Sequence, residues 1–477
     1  MLGAYEQIAV QIEAQEGVVE GGEASGDLIN VKDVELTPDF ERYERDFRRL
    51  TLSRDQDLAG RLSATLSFTA EMAGPASGTV DAKIVLHSLI RACGYRVVGD
   101  NATATGPYAA ASPSQIGKLE RIAIGASWTT GTVLNHGTAV TDGTGSGVVV
   151  GTYRQGDSHI FVRLTAAAEF DGSTNITGTG FECTQTAAAL AGYGFFPIDQ
   201  PSYYLRGTLT GTLAAGDIVT GGTSGAKGQI IEAAQSNSII VARMPGFGFF
   251  SSGEDVAKDG SNEIGSIQAP VQYDIPSLSL TYYNDGTRIR LKGCRGTMQV
   301  TAENGNPGLI RFTFTGVWDS DLPAANLASA TDQANPPLYL NAGLSFLDVT
   351  GGTRIAPLMN QMQIESGGDV APREDVTDPN GFAFAGIGGR DPRATFNPEA
   401  LPEGTFDWWN QARLATLLQV YTDWGTATAG NAWHMRMPGI AFTISQSERA
   451  GQRVYDVDGQ LSNVVESGSD ELTICSY

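Results

Sequence analysis

Positive charge is scarce in this chain: 31 Lys and Arg stand against 53 Asp and Glu in 477 residues, a formal net charge of -22. A surface that grips nucleic acid needs clustered Lys and Arg to neutralise phosphates and release counterions, so the balance argues against a nucleic-acid-binding protein. Cysteine is scarce too. Cys93, Cys183, Cys294 and Cys475 lie far apart, without the paired spacing of a metal site or a disulfide framework, which implies free thiols in a reducing compartment. His87, His136, His159 and His434 stand singly, so no metal site is expected. No apolar run approaches the length that spans a membrane, and the opening "MLGAYEQIAVQIEAQEG" lacks a basic head, so the expectation is a soluble chain made in a cytoplasm.

Catalytic signatures are missing as well. "GGTSGAKG" brings glycines near Lys227 but lacks the spacing and the hydroxyl residue after lysine that hold a nucleotide phosphate and its magnesium. "DGTGSG", Asp142 to Gly147, offers one carboxylate, too few oxygens for calcium, and reads as a tight hairpin. No nucleophile elbow occurs and no carboxylate pair is singled out. The expectation is a protein that is not an enzyme and takes no cofactor.

What is present is glycine, 59 residues or roughly one in eight, among short alternating runs of Val, Ile, Thr, Phe and Tyr. That composition predicts a mainly β protein with a few helices, and the length predicts three or four domains. The chain also repeats itself. "GTRIRLKGCRGTMQVTAENGNPGLIRFTFTG" (286–316) returns in outline as "GNAWHMRMPGIAFTISQSERAGQRVYDVDG" (430–459), each reading as a β-meander, the first with turns at "KGC" and "NGNPG". Upstream of each lies Gly-Arg, then Ala-Thr, then Glu, with Arg61 and Arg390 in equivalent places. Each copy then has a helical pattern that stops at glycine. "DAKIVLHSLIRACG" aligns Ala82, Val85, Leu86, Leu89, Ile90 and Cys93, and "FDWWNQARLATLLQVYTDWG" aligns Leu414, Leu417, Leu418 and Tyr421.

Between the first helix and its meander sits a long insertion, itself duplicated: "GTAVTDGTGSG" at Gly137 returns as "GDIVTGGTSGAKG" at Gly216, and "QGDSHIFVR" returns as "QSNSIIVAR". The expected organisation is a first host domain at 1–125 and 270–318, inserted β-modules at 126–199 and 200–269, a linker at 319–337 and a second host domain at 338–477. The insertion is expected to hang from its host as an outer module, removable between Ala126 and Gln268.

The segments "ELTPDFERYERDFRRLTLSRDQDLAGRLSATLSFTAEMAG" and "PSLSLTYYNDGTRIRLKGCRGTMQVTAENGNPGLIRFTFTGVW", and more loosely 337–477, resemble the tail tube (major tail) proteins of long-tailed bacteriophages. The resemblance does not cover the insertion. It implies a β-barrel or sandwich domain with a flanking helix, arranged six-fold in stacked rings through which the genome passes. Two such domains in one chain imply homotrimeric, pseudo-hexameric rings. The implied partners are further copies, tape measure, tail terminator and baseplate proteins, with double-stranded DNA passing the lumen unbound and no membrane contact. The implied location is the virion tail, assembled in the host cytoplasm. Candidate inter-domain or inter-subunit contacts are Arg61, Arg390, Trp318, Trp408 and Trp409. An alternative from another class is a glycan-binding or carbohydrate-active β-protein whose modules use Tyr203, Tyr204, Phe247, Phe249 and Phe250 to stack on sugars.

Overall fold

A computed structural model describes residues 6–19, 27–45, 56–73, 85–98, 119–322, 335–349, 352–425, 432–464 and 470–476, with short gaps within 119–322 at 166–167, 169, 173, 187–189, 199–200, 236–237, 245–246, 273 and 285–286. The described chain is mainly β and multi-domain. It opens with β1 (Glu6–Ile12), β2 (Leu28–Asn30), β3 (Lys32–Tyr43), β4 (Leu58–Glu71), α1 (Val85–Ala92) and β5 (Tyr95–Val98). The first inserted body contains β6 (Leu119–Thr130), β7 (Val133–Leu134), β8 (Ala139–Thr141), β9 (Ser146–Val149) and β10 (Tyr153–Arg154). It continues through β11 (His159–Leu164), β12 (Asn175–Gly178), β13 (Phe181–Gln185) and β14 (Leu190–Pro197). The second contains β15 (Ser202–Arg206), β16 (Thr208–Leu209), β17 (Ile218–Gly221) and β18 (Lys227–Gln235). It closes with β19 (Ser238–Arg243), β20 (Val256–Lys258), β21 (Ser261–Gly265) and β22 (Val271–Gln272).

The host resumes with β23 (Leu278–Asn284), β24 (Thr287–Glu303) and β25 (Leu309–Leu322). The second half runs β26 (Gly343–Asp348), β27 (Arg354–Ile355), β28 (Gln361–Glu365), β29 (Gly368–Glu374), β30 (Phe382–Arg390) and β31 (Arg393–Phe396). After α2 (Trp408–Arg413) come β32 (Leu418–Gly425), β33 (Ala432–Arg449), β34 (Gln452–Leu461) and β35 (Thr473–Ser476).

The two halves have the same strand order. The first is β2-β1-β23-β24-β25-β4-β3, all antiparallel. The second is β27-β26-β32-β33-β34-β31-β28, also antiparallel. Even an irregularity coincides: the ladder slips between Leu278 and Leu280 opposite Cys294 and Leu291, and between Leu418 and Val420 opposite Ile440 and Met437. In both halves the inward residues alternate, as Leu66, Phe68 and Ala70 do on β4, so one face of each sheet is buried. The apolar core runs without a break through both halves, from Phe68 and Phe312 to Phe346, Trp408 and Trp433.

The insertion is a pair of small closed barrels. In the first, pairing proceeds β9-β11-β6-β13-β12-β8 and returns to β9. In the second it proceeds β18-β19-β15, passes through Gly207 into β16, then β21-β20-β17 and back to β18. Closure leaves neither barrel with a free sheet edge. Each has its own core, one around Phe161 and Ile176, the other around Val219 and Val241.

Several details correct the sequence reading. The first barrel starts at Leu119, ahead of Ala126, because Leu119–Ala123 pair with β11. The "KGC" turn is absent: β24 is one continuous strand that bulges at Gly293 and Cys294, with Gly293 at φ +61. The strand β25 reaches Leu322, into the segment expected to be a linker, of which 323–334 lie outside the described residues. The first helix stops as expected at Gly94, φ +94, whose N–H reaches Arg91 O; Ala82 lies outside the described residues. The second helix is only six residues long. Ala415 turns left-handed at φ +49, and from Leu418 the alternation of Val420, Thr422 and Trp424 inward makes a strand, so Leu418 and Tyr421 are strand residues.

The first barrel is also not a detached outer module. Its exit strand β14 pairs with β6, then with β5 and with β35, and β35 pairs with β33 of the second half. A module inserted in the first half is thus sewn into the sheet of the second.

Candidate functional site

Among the described residues the features that stand out are the surfaces at which the repeated units meet. The first is a sheet junction. Along one edge of β24 the initial residues pair with β23, and beyond the bulge the same edge passes to β28 of the second half: Gln299 opposes Glu365, Val300 Ile364, Thr301 Gln363, Ala302 Met362 and Glu303 Gln361. Ser366 extends it, donating its N–H to Met298 O at 2.9 Å while its Oγ accepts from Met298 N at 3.0 Å. Val300, Ala302, Met362 and Ile364 are buried beneath the ladder, and Gln299 Nε2 donates to Glu365 Oε1 at 2.7 Å on the other face.

The second surface is an arm, the hairpin β29–β30, which leaves the second half and lies across β24 and β25 of the first. It is held by Arg295, nearly fully buried, whose guanidinium donates to Ile275 O at 3.1 Å, Ala385 O at 3.0 Å and Glu16 Oε1 at 2.7 Å. A Cβ at Gly293 would sit 2.7 Å from the Phe384 Cα, so the bulge needs glycine for packing as well as for its positive φ. Towards the arm's tip, Lys292 pairs with Asp378 at 2.8 Å, Leu62 N donates to Asn380 O at 3.1 Å, and Asn380 Nδ2 donates to Trp318 O at 2.9 Å.

The residues singled out by sequence fall differently around these surfaces. Arg61 pairs with Glu41 of its own half at 2.6 Å and with Glu374 of the arm, and lies over the Phe382 ring at 5.1 Å. The hydrogen bond to Arg61 holds the Glu41 carboxyl below its ordinary range. Arg390 instead donates Nε to Glu471 Oε1 at 2.7 Å and Nη1 to Ile198 O at 2.9 Å, tying the arm's base to the connection between the barrels. It lines a cleft of 690 Å³ with Cys93, Ile275, Arg295, Ile387 and Glu471. Counting from the shared bulge, Thr65 through Thr315 matches Arg393 through Gln460, which sets Arg61 level with Gly389. The two arginines are therefore one residue out of register, and their different partners follow. Trp318 is half-buried and meets Phe40 edge-on at 5.0 Å. Trp408 is core, packed edge-to-face on Phe346, Phe406 and Phe442, whereas its neighbour Trp409 is 47% exposed and touches the Tyr455 ring edge.

A third surface, which the sequence reading missed, welds the first barrel to the second half. The Phe161 ring stacks on His434 at 3.7 Å, Arg436 lies over Tyr153 at 4.3 Å, and Gln419 accepts from Thr152 N at 2.7 Å and donates to Thr152 O at 3.3 Å. Arg354 pairs with Asp157, and His136 with Asp470 at 2.8 Å. Burial pushes the His434 imidazole well below its ordinary pKa and His159 down to about 4, with Arg121 adding to both. Nothing local in "QGDSHIFVR" or "AWHMRM" marks this contact in the sequence.

Three further carboxylates hold turns and buried backbone. Asp142 Oδ1 accepts from Thr144 N and Gly145 N, and its Oδ2 from Asp171 N, so the "DGTGSG" carboxylate closes a hairpin. Glu254 does the same for the turn before Lys227 through Thr223 N, Ser224 N and Ser251 N. Glu13 is wholly buried, with its pKa raised by that burial, and accepts from Gly17 N, Gly293 N, Ser277 Oγ and Ser279 Oγ. All four cysteines are buried, and burial pushes the thiols of Cys93, Cys183 and Cys294 up, that of Cys183 to about 12. No group of His, Cys, Asp and Glu able to hold a metal ion occurs among the described residues. No helix among them is long and apolar enough to cross a membrane. Of the aromatics considered for sugar stacking, Tyr203, Tyr204 and Phe250 are buried and Phe249 packs against the second barrel's core. Phe247, 37% exposed, carries Lys227 over its ring at 4.8 Å. A scan against protein-family models finds no match, and a search of curated proteins finds no similar chain.

Proposed function

We propose that this protein is a structural subunit of a bacteriophage tail tube, which assembles with copies of itself into stacked rings that conduct the genome. The observation that carries the reading is the repeated seven-strand order, with the first copy joined edge to edge to the second through β24 and β28. A chain that already contains two like units in head-to-tail contact supplies two positions of a cyclic assembly, and three chains supply six. Partners at the tube's ends and interior would be tape measure, tail terminator and baseplate proteins.

The charge supports a conduit: a net -22 keeps phosphates from adhering to the wall, where a basic surface would hold them. The inserted barrels, closed and without free edges, suit the outside of such a wall, where they neither pair with neighbours nor obstruct a lumen. The subunit would be made in the host cytoplasm and reside in the virion tail, with no catalytic role. Negative-stain electron microscopy of the purified protein, with rotational averaging of end-on rings, tests this. The expected image is a pseudo-six-fold annulus with three outer lobes; a stable monomer over a wide concentration range would sink the reading.

A further inference from the structure

If the internal junction is one half of a repeating contact, its other half must lie open, and both of its strands are identifiable. The strand equivalent to β28 is β3. Among the described residues it pairs only with β4, and its other edge from Lys32 onward is free. The strand equivalent to β24 is β33, whose initial residues pair with β32; beyond Ile440 that same edge has no partner among the described residues, while β34 occupies the opposite edge. Thr443, Ser445, Gln446, Ser447 and Glu448 are exposed there, and so are Lys32, Asp33, Glu35 and Thr37 on β3. Two long unpaired edges in one molecule are a hazard unless something pairs with them.

We infer that the free edge of β33 pairs, antiparallel, with the free edge of β3 from a second copy of this chain, and that the internal junction fixes the register. The inference rests on the tube reading and names the surface that reading requires. The shared bulge makes Cys294 equivalent to Ile440, an offset of 146 along this strand. The pairings Thr315–Thr65 and Gln460–Arg393 carry the alignment across the sheet, so Phe68 matches Phe396 and Glu35 matches Gln363, an offset of 328. Transferring the pairs of β24 with β28 then sets Ser445 opposite Thr37, Gln446 opposite Leu36 and Ser447 opposite Glu35; beyond Glu35 the strand β3 bulges, with Asp33 at φ +54, and the transferred register ends there.

The chemistry of that register is compatible with pairing. Ser445 and Thr37 can exchange a hydroxyl bond across the strands, and on the other face the half-buried Leu36 meets the aliphatic stem of Gln446, where the internal junction sets Val300 against Ile364, so the contact between copies is the more polar of the two. Pro38 stands where Ser366 stands inside the chain, so the intermolecular ladder lacks the bond that Ser366 N makes to Met298 O and ends one step sooner. Because Ser366 faces β24 with its N–H, alternation makes the Val300–Ile364 pair hydrogen-bonded and the Gln299–Glu365 pair not. The matching non-hydrogen-bonded pairs between copies are Ser445 with Thr37 and Ser447 with Glu35. Their side chains lie closest, within the reach of a disulfide.

The experiment is cysteine cross-linking of the full-length chain, whose native thiols are all buried. Mild oxidation of Ser445→Cys/Thr37→Cys and of Ser447→Cys/Glu35→Cys should yield covalent oligomers ending at a closed trimer, while each single variant and the off-face pair Gln446→Cys/Thr37→Cys stay monomeric on a non-reducing gel. Gln446→Pro removes the outward N–H of β33; it should keep the wild-type circular dichroism and melting temperature yet lose assembly. Rings in the microscope without cross-links at either pair would overturn this interface and leave the tube reading standing. Absence of rings from the wild-type chain would remove both.

Discussion

Single residues carry the joints between bodies, and their charge makes those joints testable. Arg295 uses three different nitrogens on three acceptors, with Glu16 equally buried beside it. Replacing Arg295 by Ala leaves Ile275 O and Ala385 O without their donor and Glu16 with Arg243 alone, so chemical denaturation should show a loss of about 1–3 kcal/mol for each acceptor left unpaired. Arg295→Lys should recover little of it, since a single ammonium cannot span the fork. Trp408→Ala should cost about 3–5 kcal/mol by opening the second half's core, whereas Trp409→Ala should stay within about 0.5 kcal/mol because its ring is half exposed.

The buried imidazoles set a pH dependence whose sign is fixed. Burial lowers His159 to about 4 and His87 to about 3, with nearby Arg121 and Arg91 adding to the effect. The unfolded chain therefore takes up these protons first. Their contribution is complete above an ordinary histidine pKa of about 6.5 and is lost as pH falls toward the folded values, at up to about 1.4 kcal/mol per pH unit for each ring. Glu13, raised by burial, acts in the opposite sense, so the clean readout is a difference: melting temperature against pH from 7.5 to 5 should fall less steeply in His159→Gln than in wild type. Equal slopes would mean that His159 is not held neutral.

At the scale of elements, the two barrels make different attachments. The first supplies β14 to both β5 and β35 and covers His434 with Phe161. The strand pairing of the second is all internal, β22 closing on β15, and its ties outward are side-chain contacts such as Arg243 to Glu16 at 3.1 Å and Gln272 Nε2 to Glu13 O at 2.7 Å. Excising 207–266 with a short linker should leave the remainder folded. Excising 126–268 should expose the second half to limited proteolysis and lower its melting temperature by several degrees.

That contrast marks the limit of what the sequence discloses. The nested repeats were legible because strand and turn residues recur at fixed separations. The alternation in β24, β25 and β33 is plain because one face of each strand is buried. The length of α2 was misread because Leu414, Leu417, Leu418 and Tyr421 fit a helical stripe, while Val420, Thr422 and Trp424 fit a strand equally well. Only the pairing of β32 with β26 and β33 decides between them. The weld between the first barrel and the second half joins residues hundreds of positions apart, such as Gln419 to Thr152, and no local pattern encodes such a contact. For the candidate site the sequence supplied Arg61, which does bridge the halves through Glu374, but it gave no indication of Arg295 or of the edge register.

At the scale of the whole molecule, the chain holds two like seven-strand units joined edge to edge. Its internal junction consumes one edge of β24 and one of β28, and the equivalent edges of β33 and β3 remain available among the described residues. A protein meant to act alone would be expected to cover or shorten such edges, as the two barrels do by closing. Rotational averaging of end-on particles of the purified chain tests this most directly. The account predicts closed rings with pseudo-six-fold walls, three-fold outer lobes and an open centre. A monodisperse monomer at every concentration, with no rings, would contradict it.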